Sequence, residues 1–355
     1  MSIVYILLAI LAFGVLIAVH EGGHFAAAKL LGVKVNEFAI GMGPVLLQKQ
    51  RGETMYSLRA LPIGGFCAME GEDEETEDPR AFTAAPRWKR CIILVAGSFM
   101  NFLTGLIIVL CIFWPSQAFV TPVVTEVADG FLYGGENGIM PGDEVYKING
   151  KRIYYSGDFS TFMSIYNSGS VDMVLIRDGK KVELEDYQLR KAKYVDDGVE
   201  SYRYGISFTV IPANGWERLK YGCYEAVNFV RLVFLSFEQM FAGQVGLKDM
   251  SGVVGIVDTI AEVGEQSETV SAAFQNIFYL IAFIAVNLAV MNMLPIPALD
   301  GGRVFFLLVG FVIEKIIGRK LDPKYEGYVH AAGLVLLMGL MLVIGVSDVL
   351  KIIRR

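Results

Sequence analysis

Four long apolar runs stand out along the chain, and none of them contains Asp, Glu, Lys or Arg. They cover approximately residues 2–19, 91–114, 271–299 and 331–347. Crossing a hydrocarbon core of about 30 Å takes around 20 helical residues, so each run approaches the length of a membrane span. The pattern predicts a polytopic α-helical membrane protein with four transmembrane helices.

The first run has the position and hydrophobicity of a secretory signal peptide. It lacks a basic n-region and a clear small-residue cleavage site, and it continues into the polar sequence His-Glu-Gly-Gly-His at residues 20–24. We therefore expect a retained first span.

Residues 117–212 have the pattern of a soluble domain. Apolar residues alternate over residues 171–176 and 181–184, on either side of a turn at Asp178-Gly179. The pattern predicts an α+β or β-rich domain inserted between two spans.

Residues 216–241 have a helical pattern, but charged side chains interrupt their apolar face. Charges are costly at the bilayer centre, so we expect this helix to lie along the membrane interface. The predicted parts are a first membrane part at residues 1–115, the inserted domain at 116–212, an interfacial helix and connector at 213–270, and a second membrane part at 271–355.

Composition excludes several classes of protein. Hydrophobic residues make up 54% of the chain, which is high for a soluble protein, and the net charge is −6. There is no basic stripe of the kind that binds nucleic acid, so nucleic acid is not an expected partner. The four cysteines are scattered without a CxxC pair, which argues against a disulfide framework and a cysteine zinc site.

Lysine and arginine are concentrated in residues 34–90 and in the segment after Arg303. Short loops rich in these residues stay in the cytoplasm. The N-terminus and the inserted domain are therefore expected outside the cytoplasm.

His20 and His24 are four residues apart, which separates them by only about 40° around a helix axis. They can share one metal ion, with Glu21 beside them as a base, in the HExxH arrangement. A lone histidine on an apolar face is more often a hydrogen-bonded core residue. Here an acidic side chain at the end of an apolar helix would cost about 3 kcal/mol unless something compensates it, and a divalent cation accounts for the whole cluster.

A catalytic zinc usually takes three protein ligands and leaves its fourth position to water. Asp300 is the only acidic residue between Glu268 and Glu314, and it follows the third apolar run. We predict that it is the third ligand, although a loop aspartate at a helix C-terminus is the simpler alternative. His330 has no acidic partner nearby in the sequence and is predicted to be interfacial rather than a ligand.

The sequence around Asp300 predicts a broken helix that closes the third span. Pro295 and Pro297 remove backbone donors, which is tolerated at membrane depth only where protein or water satisfies the freed carbonyls. Gly301 and Gly302 would let this backbone approach the first span closely.

Two motifs, HEGGHFAAAK at residues 20–29 and NMLPIPALDGG at residues 292–302, carry a resemblance to a known family. Residues 138–150 resemble the turn-strand-turn signature of PDZ domains. With this segment included, the sequence resembles the site-2 protease family of intramembrane zinc metalloproteases, of the RseP/RasP type with an extracytoplasmic PDZ domain. The resemblance spans almost the whole chain and extends to residues 38–44, 59–66, 96–102 and 251–256.

This resemblance implies one Zn2+ per chain, held by the residues already named, in a bacterial cytoplasmic membrane with the active site near the cytoplasmic side. It implies a membrane-dipping β-hairpin element over residues 41–44 and 55–65, whose edge pairs with an unwound substrate. It also implies substrate binding by Asn292, for which a helix–helix hydrogen bond is an equally weighted alternative. The predicted substrate-binding residues are Asn292, Gly41, Gly43, Pro295 and Pro297.

The implied function is regulated intramembrane proteolysis. An upstream site-1-type protease would first trim a single-span protein, such as an anti-sigma factor or a remnant signal peptide, and this enzyme would then cut its transmembrane segment. The PDZ-like domain would hold trimmed tails or exclude bulky ectodomains.

The main alternative is a proteolytically inactive membrane PDZ adaptor with a structural metal site. The intact Glu21 argues against it, because a structural zinc needs no unligated carboxylate. A zinc transporter would require more histidines and carboxylates along several spans.

Overall fold

The computed structural model describes residues 2–72, 76–166, 170–196, 199–246, 249–318 and 323–354. In chain order the elements are α1 (Ser2–Leu31), β1 (Val35–Arg51), β2 (Thr54–Met69), α2 (Arg87–Phe113), β3 (Ala118–Val127), β4 (Glu144–Ile148), β5 (Lys151–Arg152), α3 (Ser156–Ile165), β6 (Val171–Arg177), β7 (Lys180–Tyr187), β8 (Ala192–Asp196), β9 (Val199–Arg203), β10 (Ile206–Pro212), α4 (Gly215–Phe241), α5 (Val253–Gln266), α6 (Val270–Asn292), α7 (Asp300–Ile317) and α8 (Pro323–Arg354).

The chain divides into two compact units. Unit 1 comprises Met1–Ile112 and Phe229–Arg355, and unit 2 comprises Phe113–Asn228. The first half of α4 therefore belongs to unit 2 and the second half to unit 1.

Four helices of unit 1 are long and apolar enough to cross a membrane, by length and composition. They are Ile3–Leu31, Arg87–Phe113, Val270–Asn292 and Gly327–Ile353. The prediction of four spans is confirmed at this level. The predicted bounds of the first span were wrong, because α1 continues without interruption to Leu31. Residues 20–24 therefore lie inside a long helix rather than at its end.

Strands β1 and β2 pair antiparallel, and each long strand contributes two rows to the sheet. Residues 35–40 pair with residues 65–69 on one side and with residues 55–58 on the other, while residues 45–51 pair with residues 54–59. The two edges of this sheet are therefore residues 45–51 and residues 65–69. Its position in a membrane stays a prediction.

A buried carboxylate of α8 holds the start of α5. Asp348 is 1% exposed, and its Oδ2 accepts hydrogen bonds from the backbone N–H groups of Gly252 at 2.8 Å and Gly255 at 2.9 Å. The first amides of a helix have no partner within the helix and carry partial positive charge, so a carboxylate there satisfies both needs. Residues 251–256 thus form the start of α5, which is capped by a side chain of α8.

Unit 2 is built on an antiparallel sheet with the strand order β10-β3-β4-β6-β7, and β5 pairs with β4. The predicted alternation over residues 171–176 corresponds to β6, in which Val171, Met173 and Leu175 are buried. Strands β8 and β9 form a separate hairpin.

The helix predicted over residues 216–241 corresponds to α4, which is not among the candidate spans found in the described residues. Its polar residues Glu225 and Asn228 are buried within unit 2, where the Tyr155 hydroxyl donates to the Glu225 carboxylate. The Tyr221 ring stacks on Phe119 at 4.4 Å. These polar side chains are therefore accounted for by packing in unit 2, and an interfacial position of α4 stays a prediction.

An ion pair locks the segment that resembles the PDZ signature. Arg177 donates from Nε to Asp143 Oδ1 and from Nη2 to Asp143 Oδ2, both at 2.8 Å. The Asp143 carboxylate is buried and also accepts from the Met140 backbone N–H at 2.8 Å. It raises the pKa of the Arg177 guanidinium above its usual value. The turn before β4 is thereby fastened to β6.

We expect Asp143→Asn to destabilise unit 2 by roughly 3 kcal/mol, because removing one partner of a buried ion pair leaves the other charge uncompensated. Hydrogen exchange of the β4 and β6 amides in detergent-solubilised protein would measure this loss. Asp129→Asn, at an exposed position of the same unit, is the control. Equal protection in the two variants would contradict the assigned role of Asp143.

Candidate metal centre

Three side chains from opposite ends of the chain meet at one point. The Nε2 atoms of His20 and His24 are 3.1 Å apart, and Asp300 Oδ2 lies 3.1 Å from the first and 3.3 Å from the second. Among the described residues, this is the group of histidine, cysteine and acidic side chains that could hold a metal ion. Both histidines are buried.

These separations fit a tetrahedral cation. Zinc–nitrogen distances of about 2.0–2.1 Å and tetrahedral angles place neighbouring donor atoms about 3.3 Å apart. Two nitrogens and one oxygen at 3.1–3.3 Å therefore match three corners of such a site. The arrangement leaves the fourth corner to water or substrate, as catalytic zinc sites do.

Hydrogen bonding sets the direction of the His24 ring. Its Nδ1–H donates to the Ile93 carbonyl of α2 at 2.8 Å. A neutral imidazole carries only one N–H, so this bond leaves the lone pair on Nε2, which faces the other two donors.

Helix α2 approaches the two histidines so closely that only glycine fits at position 97. A Cβ at Gly97 would lie 2.4 Å from His24 Nε2 and 2.8 Å from the His20 Cε1 atom. Sequence reasoning used residues 96–102 only as part of a resemblance and missed this function. The available signal was a glycine within an apolar span.

Asp300 begins α7 instead of closing the third span, and this part of the prediction was wrong. Helix α6 ends at Asn292, and a turn containing Pro295 and Pro297 leads to Leu299, the N-cap of α7. The prolines do break the predicted run. The carboxylate consequently lies at the positive end of a helix, which favours its ionised form.

The two glycines after Asp300 serve a different contact from the predicted one. A Cβ at Gly301 would lie 2.2 Å from the backbone of Met293, and one at Gly302 would lie 2.2 Å from the Ile296 carbonyl oxygen. The close approach is therefore to the preceding turn rather than to the first span.

His330 contacts the same turn. Its Nδ1 accepts a hydrogen bond from the Ala298 backbone N–H at 3.0 Å, and Ala298 has a φ of +75°. A non-glycine residue in this region costs about 1 kcal/mol or more, so the turn needs outside support. His330 does not belong to the three-residue group, and sequence reasoning missed its contact with the turn.

Glu21 lies beside the histidines and against the sheet. Its carboxylate lies near the backbone N–H of Cys67, and its Cγ lies 3.5 Å from the position that a Cβ at Gly65 would occupy. The edge of β2 formed by residues 65–69 therefore runs alongside Glu21.

The predicted substrate-binding residues occupy two places. Asn292 is the last residue of α6, and Pro295 and Pro297 lie in the turn after it. Gly41 and Gly43 lie in β1 with φ values of +84° and +81°. Their predicted roles stay predictions.

We expect Gly97→Ala to displace the imidazoles and to lower zinc affinity at least about tenfold, since changes to residues that only orient the metal ligands typically cost 10- to 100-fold. Metal analysis and chelator competition on purified protein would measure this loss. Gly22→Ala is the matched control, because a Cβ there meets nothing within 4 Å. Equal zinc retention in both variants would contradict the steric argument.

Comparison with known proteins agrees with this geometry. Peptidase family M50 matches residues 8–340. A protein of Clostridium acetobutylicum, provisionally named a zinc metalloprotease, is 39% identical over 351 residues, which cover 98% of each chain. The zinc metalloprotease RasP of Shouchella clausii is 28% identical and covers 98% of this chain and 99% of its own. The regulator of sigma-W protease RasP of Bacillus subtilis is 26% identical over 97% of each chain. The chain is a multi-pass membrane zinc metalloprotease and belongs to peptidase family M50.

Proposed function

We propose that this enzyme is an intramembrane endopeptidase in which His20, His24 and Asp300 hold the zinc and Glu21 is the general base. The observation that carries the proposal is the meeting of three donor atoms at 3.1–3.3 Å, two of them on a helix long and apolar enough to span the membrane. Glu21 stands next to His20 on that same helix.

The depth of the site supports cleavage within the bilayer. The candidate span from Ile3 to Leu31 is about 43 Å long at 1.5 Å per residue, and His20 and His24 lie about 26 and 32 Å from its start. A hydrocarbon core of about 30 Å centred on this helix would cover both histidines. With the N-terminus outside the cytoplasm, they would lie in the cytoplasmic half.

The protein residues divide the chemistry among them. When bound, zinc supplies a Lewis acid that activates water and polarises a peptide carbonyl. The Glu21 carboxylate takes the proton of the attacking water and returns a proton to the leaving amine. The Ile93 carbonyl fixes the ring of His24, and the nearby Cys67 N–H would orient the Glu21 carboxylate.

A substrate helix must unwind before it can be cut, because its backbone is hydrogen-bonded and shielded by side chains. The edge of β2 at residues 65–69 pairs with β1 on one side only within the described sheet, and it runs beside Glu21. An added substrate strand would find replacement hydrogen bonds there and would place its backbone next to the base. Gly41 and Gly43, in the proposed membrane-dipping hairpin, would shape the β1 row at residues 35–40, which pairs with this edge.

The turn between α6 and α7 offers further backbone contacts. Pro295 and Pro297 have no N–H to donate, which leaves carbonyls of the turn for other partners. We assign Pro295 and Pro297 to substrate binding on this basis, and Asn292 on the family resemblance alone.

Unit 2 is proposed as a PDZ-like domain on the extracytoplasmic side. Its strand β10 is a sheet edge, and α3 packs on the same strand through Phe159 and Phe208, whose rings are 5.1 Å apart. PDZ domains bind peptides as an added strand at such an edge. The domain would hold trimmed tails or act as a size filter.

The substrates are proposed to be single-span proteins that an upstream site-1-type protease has already trimmed. The Bacillus subtilis relative is named for regulation of sigma-W, which supports anti-sigma factors as one class. Remnant signal peptides are a second class with the same single-span form.

We expect Glu21→Gln to keep zinc and to lower cleavage of a model transmembrane substrate by at least about 100-fold, since general-base catalysis contributes 10²- to 10⁴-fold. Metal analysis and a cleavage assay in detergent or liposomes test this. Glu268→Gln, at an exposed position, is the control. Cleavage at the normal rate by zinc-loaded Glu21→Gln protein would refute the mechanism.

Strand addition makes a separate prediction in a cysteine-free Glu21→Gln background. Ala68→Cys on the β2 edge should form disulfides with substrate cysteines two residues apart, because strand side chains alternate between faces. Leu47→Cys on the opposite edge is the control. Cross-links to Leu47→Cys alone, or a three- to four-residue spacing, would contradict strand addition at this edge.

A further inference from the structure

We propose that Asn101 of α2 is a positioning residue that accepts a hydrogen bond from Nδ1–H of His20 and so directs the His20 Nε2 lone pair toward the zinc. The inference rests on the proposed function, because it takes His20 to be a metal ligand.

The argument begins with the His20 ring. A neutral imidazole has one N–H, so an Nε2 that binds metal requires the proton to sit on Nδ1. The residue is buried, and a buried donor without an acceptor destabilises the protein. His24 meets the same requirement through the Ile93 carbonyl.

Asn101 is the partner that the structure places at His20 Nδ1. Its amide nitrogen lies 3.4 Å from that atom, and the residue is 1% exposed. With Nδ1 protonated, this orientation sets two donors against each other. The amide oxygen, Oδ1, is also buried and has no hydrogen-bond partner among the described residues.

Rotating the Asn101 amide group by 180° removes both the donor–donor contact and the unpaired Oδ1. The two ends of an asparagine amide have nearly the same shape and differ in hydrogen bonding, so the network decides the orientation. The half-turn places Oδ1 against Nδ1–H, which gives each of these atoms a partner. His20 is then held in the tautomer that a metal ligand needs.

The spacing along α2 supports this assignment. Ile93, Gly97 and Asn101 are four residues apart and therefore lie on one helical stripe. Ile93 bonds to His24, Gly97 leaves room for both rings, and Asn101 reaches His20. One face of α2 thus serves both imidazoles.

Two substitutions separate an acceptor from a donor at this position. In Asn101→Asp the ionised carboxylate accepts hydrogen bonds but donates none. In Asn101→Leu the side chain has a similar size and can neither donate nor accept. Ser98→Ala, at another buried position of α2, is the control for packing. Zinc affinity of the purified full-length proteins is measured by chelator competition, with circular dichroism to verify folding.

We expect Asn101→Leu to lower zinc affinity 10- to 100-fold, as the loss of an outer-shell partner of a ligating histidine does, and Asn101→Asp to stay within a few-fold of the parent protein. Equal losses in folded Asp and Leu variants would show that the amide donates, and wild-type affinity in Asn101→Leu would show that it has no role. Either result overturns the proposal.

The chain has only three histidines, so ¹⁵N-histidine NMR reports the His20 tautomer directly. We expect a protonated Nδ1 in the zinc-loaded parent and in Asn101→Asp. An unprotonated Nδ1 in the parent would overturn the proposal even if every variant failed to fold.

His20→Leu distinguishes failure of the proposed zinc site from failure of the role given to Asn101. If that variant bound zinc with parental affinity, the proposed ligand set would be wrong, whereas loss of zinc there with no effect in Asn101→Leu would reject only the role of Asn101.

Discussion

The structure depends on the convergence of two imidazoles and one carboxylate inside a largely apolar helical unit. Their facing atoms lie 3.1–3.3 Å apart, and three lone pairs aimed at one point would repel one another unless a cation or a ring N–H lies between them. The surrounding elements serve this contact. Helix α1 supplies the histidines and Glu21, α2 contacts both rings, and the edge of β2 lies beside Glu21.

The segment that brings Asp300 to the site is a turn between α6 and α7 rather than one continuous helix. Two prolines end α6, and α7 then begins at Asp300, so the carboxylate gains the favourable field of a helix start. Ala298 adopts a left-handed conformation within this turn, and His330 of α8 accepts its N–H. A residue of α8 thereby supports the conformation that presents the Asp300 carboxylate to the histidines of α1.

Buried charges elsewhere follow the same rule, since each has a specific partner. Asp348 caps α5, Asp143 pairs with Arg177, and Glu225 accepts from Tyr155. A carboxylate removed from water is tolerated only with such partners. In α4 the charged residues suggested a membrane interface from the sequence, whereas the buried Glu225 carboxylate has its partner within unit 2.

The sequence by itself determined the four apolar helices, and it pointed to the histidine pair and Asp300, which the structure brings together. Local periodicity, length and the scarcity of acidic residues are properties of neighbouring positions, and they need no knowledge of the fold. Tertiary structure alone decided that α1 continues past Glu21, that Asp300 starts a helix, and that Ile93, Gly97 and Asn101 surround the histidines. These features depend on contacts between residues distant in the chain, and a glycine or a backbone carbonyl carries no chemical signature of such a contact in the sequence.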